Sequence, residues 1–450
     1  MRESGMRVSR PNYVRRLING SVIFLLLGMI TISSAEQQSR ETDSRIQFLQ
    51  SRVSGDPDSF TNYNRLASAY LQKARETGDL TYYDLAEKAI RKSLELESSH
   101  EQAASTFSLL STIDFSKHNF KQAAEHAERA LELDPQELGA AVSAGDAYVE
   151  VGEYDTARKY YAKLDLARHA QRPSVQYLKL SRQAGLALAL GNPKDATQSL
   201  KQAVDISHQF QLPRENVAWT EFTLGETYLQ LGDFSNAEEQ FRASLNSFPG
   251  YHRALAGMAQ LRVAQRKYDE GISNFEKAIS VIPLPVYVAA LGDVYAKVGK
   301  ASEAERQYKL VEYIAALSFL SKSVYNRELA MFYADHARSL PKATELAHRE
   351  LEVRHDLYTQ DALAWTLFKR GQIRGAQLAA RLIENYKIQD PLLLYHLAAI
   401  YDAAGDKAKS HSYVKAALAI NPQFHIFYAD QARELLNSVT VNAANLEGSE

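Results

Sequence analysis

One stretch in the last third of this 450-residue chain has side chains that could bind a metal ion. They are Glu345, His348, Glu352 and His355. In a helix, their intervals of three and four residues place all of them on one face. Imidazole and carboxylate are common ligands of divalent transition metals. A solvated charged face has the same pattern on ordinary surface helices, and we favour this second interpretation.

A second stretch, GDVYAKVGKAS at residues 292–302, resembles a phosphate-binding loop. Six residues separate Gly292 from Gly299, whereas the motif has four, and Ala301 stands where the motif requires a hydroxyl. We therefore interpret both glycines as structural. His396 lies in an apolar helical pattern and is interpreted as a hydrogen-bonded interior imidazole. No serine–histidine–acid arrangement can be identified, so the sequence predicts no catalytic residues.

The composition excludes further classes of site. The chain contains no cysteine, which excludes disulfide bonds, thiolate zinc sites and a thiol nucleophile. Hydrophobic residues make up 45% and charged residues 24%, which is typical of a folded protein. The formal net charge is −2, and the chain beyond residue 35 carries −6 because the first 35 residues contain five arginines and one glutamate. Nucleic acid is therefore not expected as a partner.

The elements that must position any site are indicated by a pattern that recurs ten times. In its clearest copy, Gly225 is followed by Tyr228, Gly232, Ala237 and Phe241. The positions equivalent to Gly225, which we name origins, are Ala67, Ser111, Gly145, Ala184, Gly225, Ala259, Gly292, Ala330, Ala364 and Ala398. Five of the nine intervals between successive origins are 33 or 34 residues, which is typical of stacked-repeat proteins.

This pattern resembles the tetratricopeptide repeat, a helix–turn–helix unit of about 34 residues, over residues 58–423. The resemblance implies an all-α fold. The expected architecture is a right-handed α-solenoid, or superhelix, of about ten units, each with a helix A followed by a helix B. More loosely, the chain is similar to exported bacterial proteins of this repeat class. No segment alternates with a period of two, so we expect no β-sheet.

The recurring glycines are predicted to serve this packing. We expect helix A and helix B to cross at Gly225 and Ala237, where small residues allow a close approach, while Phe241 fills the space beside them. Gly232 is expected to end helix A in the left-handed conformation that favours glycine. Pro249 is expected to end helix B, because proline lacks the backbone donor.

The two ends of the chain are predicted to differ from the repeats. Residues 1–35 have a basic leader, an apolar run and small residues ending at Ala35, which is the order of a secretory signal peptide. An uncleaved N-terminal anchor is the alternative. Residues 36–57 are predicted to be a linker or a short N-terminal helix. Residues 424–437 are predicted to be a capping helix, and residues 438–450 a disordered tail.

The resemblance implies that partners bind along the concave face of the superhelix, which helix A lines. In a helix, the positions six and three residues before each origin and one, four and five residues after it face away from helix B. The partner-binding candidates selected in this way are Trp219, Phe222, Arg327, Tyr358, Asp361, Trp365, Lys369 and Tyr395. The same positions include the carboxylates Glu226 and Asp293. Tryptophan, tyrosine and arginine often dominate binding energy, but Trp219 and Trp365 could instead pack between units.

The best-known partner site of this family binds a terminal carboxylate through lysine and asparagine side chains, and the corresponding positions here have no such repeated set. We therefore predict a non-catalytic scaffold, periplasmic or secreted, that binds a protein or peptide. We expect no cofactor and no stable membrane insertion after signal cleavage. The alternative is a carrier or enzyme for a small molecule or metal, with a site on the concave face or on the helix face of residues 345–355.

Overall fold

Helix follows helix throughout the computed structural model of this chain. The backbone is described for residues 41–97, 101–320 and 326–447. The side chains are described for the same residues except 318–320 and 438–447. This part of the chain contains 22 α-helices, one short 3₁₀ turn and no β-strand, which confirms the predicted all-α fold.

The helices form ten consecutive pairs, which we number as repeats 1–10. A first helix, α1, at residues 41–55 precedes them, and the 3₁₀ turn is Glu101–Ala103. The A helices are α2 Phe60–Thr77, α4 Ala104–Ser116, α6 Leu138–Glu150, α8 Pro173–Ala189, α10 Arg214–Gln230, α12 His252–Ala264, α14 Pro285–Lys297, α16 Asn326–Asp335, α18 Leu357–Lys369 and α20 Pro391–Ala403. The B helices are α3 Thr81–Leu96, α5 Phe120–Leu133, α7 Tyr154–Ala162, α9 Pro193–Gln209, α11 Phe234–Ser247, α13 Tyr268–Val281, α15 Ala301–Leu320, α17 Leu340–Leu351, α19 Ile373–Ile383 and α21 Lys407–Ile420. A final helix, α22, is Tyr428–Glu447. Each of the ten origins lies on a helix A.

Side-chain caps and proline determine where some A helices begin. The carboxylate of Asp356 accepts hydrogen bonds from the backbone N–H of Tyr358 (2.8 Å) at the start of α18. Asp390 caps α20 in the same way through the N–H of Leu392 (2.8 Å), and Pro391 occupies the first helical position. These residues satisfy or remove donors that the first turn of a helix leaves unpaired. Both caps therefore fix the connections that precede repeats 9 and 10.

The glycines at the origins make room for an aromatic ring. A Cβ atom at Gly225 would lie 2.7 Å from the ring of Phe241, and one at Gly292 would lie 2.5 Å from the ring of Tyr308. From the next helix A, a Cβ at Gly257 would lie 2.5 Å from the same ring of Phe241. The expected crossing at Gly225 is thus corrected in one detail, since a ring of helix B, not its backbone, occupies the space. Ala237 is fully buried nearby.

Every turn between helix A and helix B contains a residue with a positive φ just after the end of helix A. These residues are Gly78, His118, Gly152, Gly191, Gly232, Arg266, Gly299, Ala337, Gly371 and Gly405. The turn of repeat 8 has a second one, Ser339. The φ of 76° at Gly232 confirms the prediction for that residue.

The A–B turns of the first repeats contact the connections that follow repeats five positions later. The backbone N–H of His355, after repeat 8, donates to the carbonyl of Glu150 at the turn of repeat 3 (3.2 Å). The N–H of Gln389, after repeat 9, donates to the carbonyl of Gly191 at the turn of repeat 4 (2.7 Å).

Two further contacts also join an A–B turn to the connection that follows the repeat five positions later. The side-chain amide of Asn421, after repeat 10, donates to the carbonyl of Leu229 at the turn of repeat 5 (2.9 Å). Gly78, at the turn of repeat 1, faces Ile282, which follows repeat 6. Successive turns of the superhelix are therefore in direct contact, which was not predicted from the sequence.

A buried cluster of charges strengthens one of these contacts. Arg354 is only 5% exposed, and its Nε lies 2.8 Å from a carboxylate oxygen of Glu150. The same guanidinium lies 3.3 Å from Glu350 and over the ring of Phe120, 4.7 Å from its centroid. Burial raises the pKa values of Glu150 and Glu350, and Arg354 opposes the rise. One arginine thus joins side chains from both turns of the superhelix.

The C-terminal segment folds back onto the inner side of the superhelix. Asp430 forms an ion pair with Lys297 of repeat 7 (2.7 Å), and the hydroxyl of Tyr428 donates to Asp335 of repeat 8 (2.6 Å). The last helix, α22, continues to Glu447. The prediction of a disordered tail from residue 438 is therefore wrong for the residues up to 447, because the chain there is helical.

The predicted signal peptide, residues 1–35, lies outside the described residues. Across the described ranges, no helix combines the length and the apolar character that crossing a lipid bilayer requires. The predicted linker region contains α1, whose Ile46 and Leu49 are buried against the first repeat.

Candidate functional site

The predicted candidates on repeat 5 differ in their exposure. Trp219 on α10 is half-buried and packs at the edge of the core of repeats 4–6. Phe222 is buried, and its ring packs against those of Phe241 and Tyr251. The expectation that Phe222 lines an open surface is corrected, because this ring contributes to packing between adjacent repeats.

The candidates Trp365 and Tyr395 are covered by the C-terminal segment. Trp365 is 1% exposed, and its indole N–H donates to Asp335 (2.7 Å). Tyr428, at the start of α22, also binds Asp335 and stacks on Tyr395 at a centroid distance of 5.1 Å. Both candidates do lie on the side away from helix B. They are nevertheless inaccessible, because Tyr428 and its neighbours occupy the inner surface of repeats 8–10.

The candidate Asp361 is also buried. Its carboxylate lies 2.9 Å from Nδ1 of His396, which is fully buried and stacks on Trp365 at 3.9 Å between centroids. The prediction of an interior, hydrogen-bonded His396 is confirmed. Asp361 therefore serves as the hydrogen-bond partner of a core imidazole, which corrects the expectation of an exposed acidic position.

Arg327 and Tyr358 contribute to the contact between superhelical turns. Arg327 lies 3.2 Å from Asp356, the capping residue of α18. The hydroxyl of Tyr358 donates to the carbonyl of Leu188 in repeat 4 (3.2 Å), and burial raises the pKa of this phenol well above its usual range. Lys369 is half-buried, and its ammonium lies 5.3 Å from the centre of the Trp365 ring. The structure thus brings most of the candidates into internal contacts.

The alternative metal face does not form a continuous surface. The helix α17 ends at Leu351, so Glu352 and His355 lie beyond it, and the backbone of His355 takes part in the contact with repeat 3. In the part of the chain that the structure describes, no three histidine, aspartate or glutamate side chains are grouped as a metal site would require. The helix-face hypothesis for residues 345–355 is therefore corrected.

A cavity of about 490 Å³ lies on the inner side of repeats 5–7. We name it the inner cavity. One wall consists of the concave faces of α10, α12 and α14, and the other of residues 390–392 and 421–430. Polar side chains of the wall formed by α10, α12 and α14 include Glu226, Gln260 and Asp293. The cavity therefore lies where the concave face of repeats 5–7 meets the returning C-terminal segment.

Some residues of the inner cavity were identified from the sequence and others were not. Glu226 and Asp293 follow the origin by one residue and were selected on that basis. Gln260 and Lys297 occupy equivalent positions after the origins Ala259 and Gly292, so the same rule could have found them. His425 lies after the last repeat and carries no such signal.

Most charged groups of the inner cavity have partners. Asp293 accepts hydrogen bonds from the hydroxyl of Tyr308 (2.9 Å) and faces Nε2 of His336 (2.7 Å). Ion pairs with Lys297 and with Arg433 lower the pKa of Asp430.

Glu226 differs from these groups. Among the described residues it has no hydrogen bond and no ion pair within 4.0 Å. Partial desolvation by the surrounding residues raises the pKa of Glu226 above its ordinary value. The positive charge of Arg253, which forms no ion pair with Glu226, opposes this rise. The side chain remains accessible to water within the cavity.

Comparison with known proteins identifies the repeat unit. Models of the tetratricopeptide repeat match residues 115–180, 176–249 and 222–283. No curated protein matches the chain.

Solved structures of similar architecture include pilF of Pseudomonas aeruginosa, with 21% identity, a TM-score of 0.39 and coverage of 48% of this chain and 92% of that one. Yeast Tom70 has 14% identity, a TM-score of 0.33 and coverage of 84% and 96%. YrrB, described as a TPR protein with an unusual peptide-binding site, has 22% identity, a TM-score of 0.29 and coverage of 44% and 95%.

The family matches lie within residues 115–283, and the same helical pairing extends over the described chain from Phe60 to Ile420. On this ground, the chain is a tetratricopeptide repeat protein.

Proposed function

We propose that this chain is a non-catalytic scaffold that acts outside the cytoplasm and binds a protein or peptide partner along its concave face. Tetratricopeptide repeats build extended concave surfaces that serve protein–protein interaction. One observation carries the proposal for this chain. Glu226, Arg253 and Gln260 are exposed on the inner side of α10 and α12, although the other faces of these helices are buried.

The location outside the cytoplasm is supported by the sequence of residues 1–35. A basic leader, a short apolar run and small residues at 33–35 have the order of a secretory signal. Mass spectrometry of the protein from its natural cell would test this part. We expect a mature chain that begins at Glu36, whereas a chain that retains the leader would contradict cleavage and favour an N-terminal anchor.

The candidate residues contribute to this proposal in two ways. Trp219 and Lys369, which are half-buried, can contact a partner without rearrangement. Trp365 and Tyr395 would contact one only if the C-terminal segment moved away from repeats 8–10. We therefore centre the proposed binding surface on repeats 5–7, where the inner cavity is open.

Photo-cross-linking tests the proposed surface. A p-benzoylphenylalanine replaces Gln260 on the concave face in one protein and Glu239 on the outer side of α11 in a matched control, since both residues are exposed. We expect irradiation in the native envelope to give a discrete cross-linked protein from position 260 and none from position 239. Identical products from both positions, or none from position 260, would contradict the proposal.

A further inference from the structure

We propose that the inner cavity is a binding site for a protonated alkyl amine, and that Glu226 is its counter-ion. This inference rests on the proposed function and makes it more specific. The amine is a lysine side chain of the protein or peptide partner, which extends into the cavity while the partner's backbone lies on the concave face.

The size and walls of the cavity suit such a side chain. Its volume of about 490 Å³ lies within the range of ligand pockets, roughly 300–1,000 Å³. Val263, Val294 and Phe424 are among the apolar residues of its walls. The four methylenes of a lysine can be buried against such surface while its ammonium reaches a polar group.

Three of the four carboxylates around the cavity already have partners. Asp293 is hydrogen-bonded to Tyr308, and Asp430 is paired with Lys297. Asp390 caps α20 and also accepts from the side-chain amide of Gln230 (2.6 Å). Glu226 is the remaining one, and it has no partner among the described residues.

The positively charged groups argue against an anionic ligand. Lys297 is neutralised by Asp430 and lies 5.8 Å from the centre of the Phe427 ring. Nδ1 of His425 accepts from the backbone N–H of Phe427 and of Tyr428, both at 3.2 Å. Because Nδ1 is an acceptor, Nε2 carries the single proton and the ring is neutral; burial also lowers the pKa of His425. Arg266 also lines the cavity and is exposed, but it lies beyond the end of α12, in the A–B turn of repeat 6. Among the described groups on the cavity walls, Glu226 is the carboxylate without a partner.

An ammonium beside Glu226 would complete this arrangement. Glu226 has no partner among the described residues, and an opposite charge within hydrogen-bond distance favours the ionised form of a carboxylate. The resulting N⁺–H···O⁻ bond is stronger than one between neutral groups. The proposed ligand thus supplies the counter-ion that Glu226 lacks.

Randomised nonapeptides provide a direct test. Three blocked libraries have random residues at all positions except the fifth, which is lysine, norleucine or arginine, and each is passed over the immobilised full-length chain. We expect at least about tenfold greater retention of the lysine library than of the norleucine library, a difference of about 1.4 kcal/mol. Equal retention of the two would overturn the proposal, because norleucine has the same stem without the charge.

Two variants assign the effect to the carboxylate. Glu226→Gln should abolish the preference for lysine, whereas Glu239→Gln, the same change on the outer side of the same repeat, should preserve it. Both glutamates are exposed and unpaired among the described residues, so neither variant should melt below the parent's temperature. An unaltered lysine preference in a folded Glu226→Gln protein would overturn the role of this residue.

Competition with 1,5-diaminopentane distinguishes the source of the amine. If the partner's side chain is the ligand, the free diamine should displace the lysine library only at concentrations far above those of the peptides. Displacement at equal concentrations would overturn the assignment to a partner and indicate a free amine instead. Cross-linking at position 260 is an independent readout, so loss of the lysine preference with intact cross-linking refutes this inference and leaves the proposed scaffold function standing.

Discussion

The A–B turns of repeats 1–5 and those of repeats 6–10 all contain a residue with positive φ after helix A, but these residues have different surroundings. A Cβ at Gly152 would lie 2.8 Å from the carbonyl oxygen of His355, and one at Gly232 would lie 3.1 Å from that of Ile420. At Gly299, Gly371 and Gly405 no atom would lie within 4 Å.

This comparison shows two separate reasons for the presence of glycine at the A–B turns. In both halves glycine allows a positive φ without strain. Only in the first half does it also provide space for the next superhelical turn. Arg266 and Ala337 occupy the equivalent positions in the second half, which agrees with the absence of a steric requirement there. His118 in repeat 2 shows that the first half tolerates one exception.

The largest effect is expected from breaking the ionic contact between the turns. Arg354→Met removes the cation that contacts the buried Glu350 and the partly exposed Glu150 and leaves only the more distant Arg327, so we expect a loss of about 3 kcal/mol of unfolding free energy. Arg349→Met removes an exposed pair with Glu345 and should cost about 0–1 kcal/mol. Urea unfolding followed by circular dichroism measures both. Equal losses would mean that the contact between turns contributes little to stability.

A smaller but more direct contrast comes from the turn glycines. Gly152→Ala and Gly371→Ala both place a Cβ at positive φ, at a cost of about 1–2 kcal/mol. Gly152→Ala should cost about 1–3 kcal/mol more, because its methyl group meets the backbone of His355. The difference in melting temperature between the two variants tests the comparison. If Gly371→Ala proved equally destabilising, the contact seen at Gly152 would not be a constraint.

The cost of Arg354→Met should depend on pH. Burial raises the pKa values of Glu150 and Glu350 in the folded protein, and without the opposing arginine both should rise further. A carboxyl group whose pKa is higher in the folded state takes up protons on folding as the pH falls, which favours the folded state. The destabilisation should therefore shrink between pH 7.5 and pH 5. A loss that stays constant over this range would contradict the assignment to these carboxylates.

The smallest expected effect concerns binding in the inner cavity. Retention of the lysine library should fall as the pH is lowered from 8 to 5, because protonation of Glu226 removes the counter-ion while the ammonium stays charged. The other charged or titratable groups around the cavity or acting on Glu226 are Arg253, Arg266, Tyr268, Asp293, Lys297, Asp390, His425 and Asp430. Asp390 also has a raised pKa, but it persists in Glu226→Gln. The residual retention by that variant should change less than about twofold, and a full pH response in it would exclude Glu226 as the titrating group.

Much of the local structure could be predicted because each repeat is a short-range unit. Phe241 lies only 16 residues beyond Gly225, so the contact between them corresponds to a short spacing that recurs in the sequence. Gly232 could be assigned its conformation because the end of a helix restricts φ locally. The same local rules placed Glu226 and Asp293 on the inner side of the superhelix.

The exposure of the candidate residues could not be predicted in the same way. Helical geometry directed Trp365 and Tyr395 away from helix B, but it contained no information on Tyr428, which covers them. Likewise, the regular spacing of Glu345 to His355 assumed a helix that continues, whereas α17 ends at Leu351. Each failure involves a part of the chain outside the segment that was being interpreted.

Composition and period were enough to define an all-helical repeat protein, the positions of its ten origins and the residues on the inner side of each helix A. The winding of the superhelix follows from a small rotation between neighbouring repeats, and this rotation depends on the packing of many side chains at once. The rotation accumulated over five repeats brings Glu150 into contact with Arg354, and Leu229 with Asn421. The two residues of each pair are about 200 residues apart in the sequence. No sequence interval encodes such contacts, so the closed superhelix and its inner cavity become visible only in three dimensions.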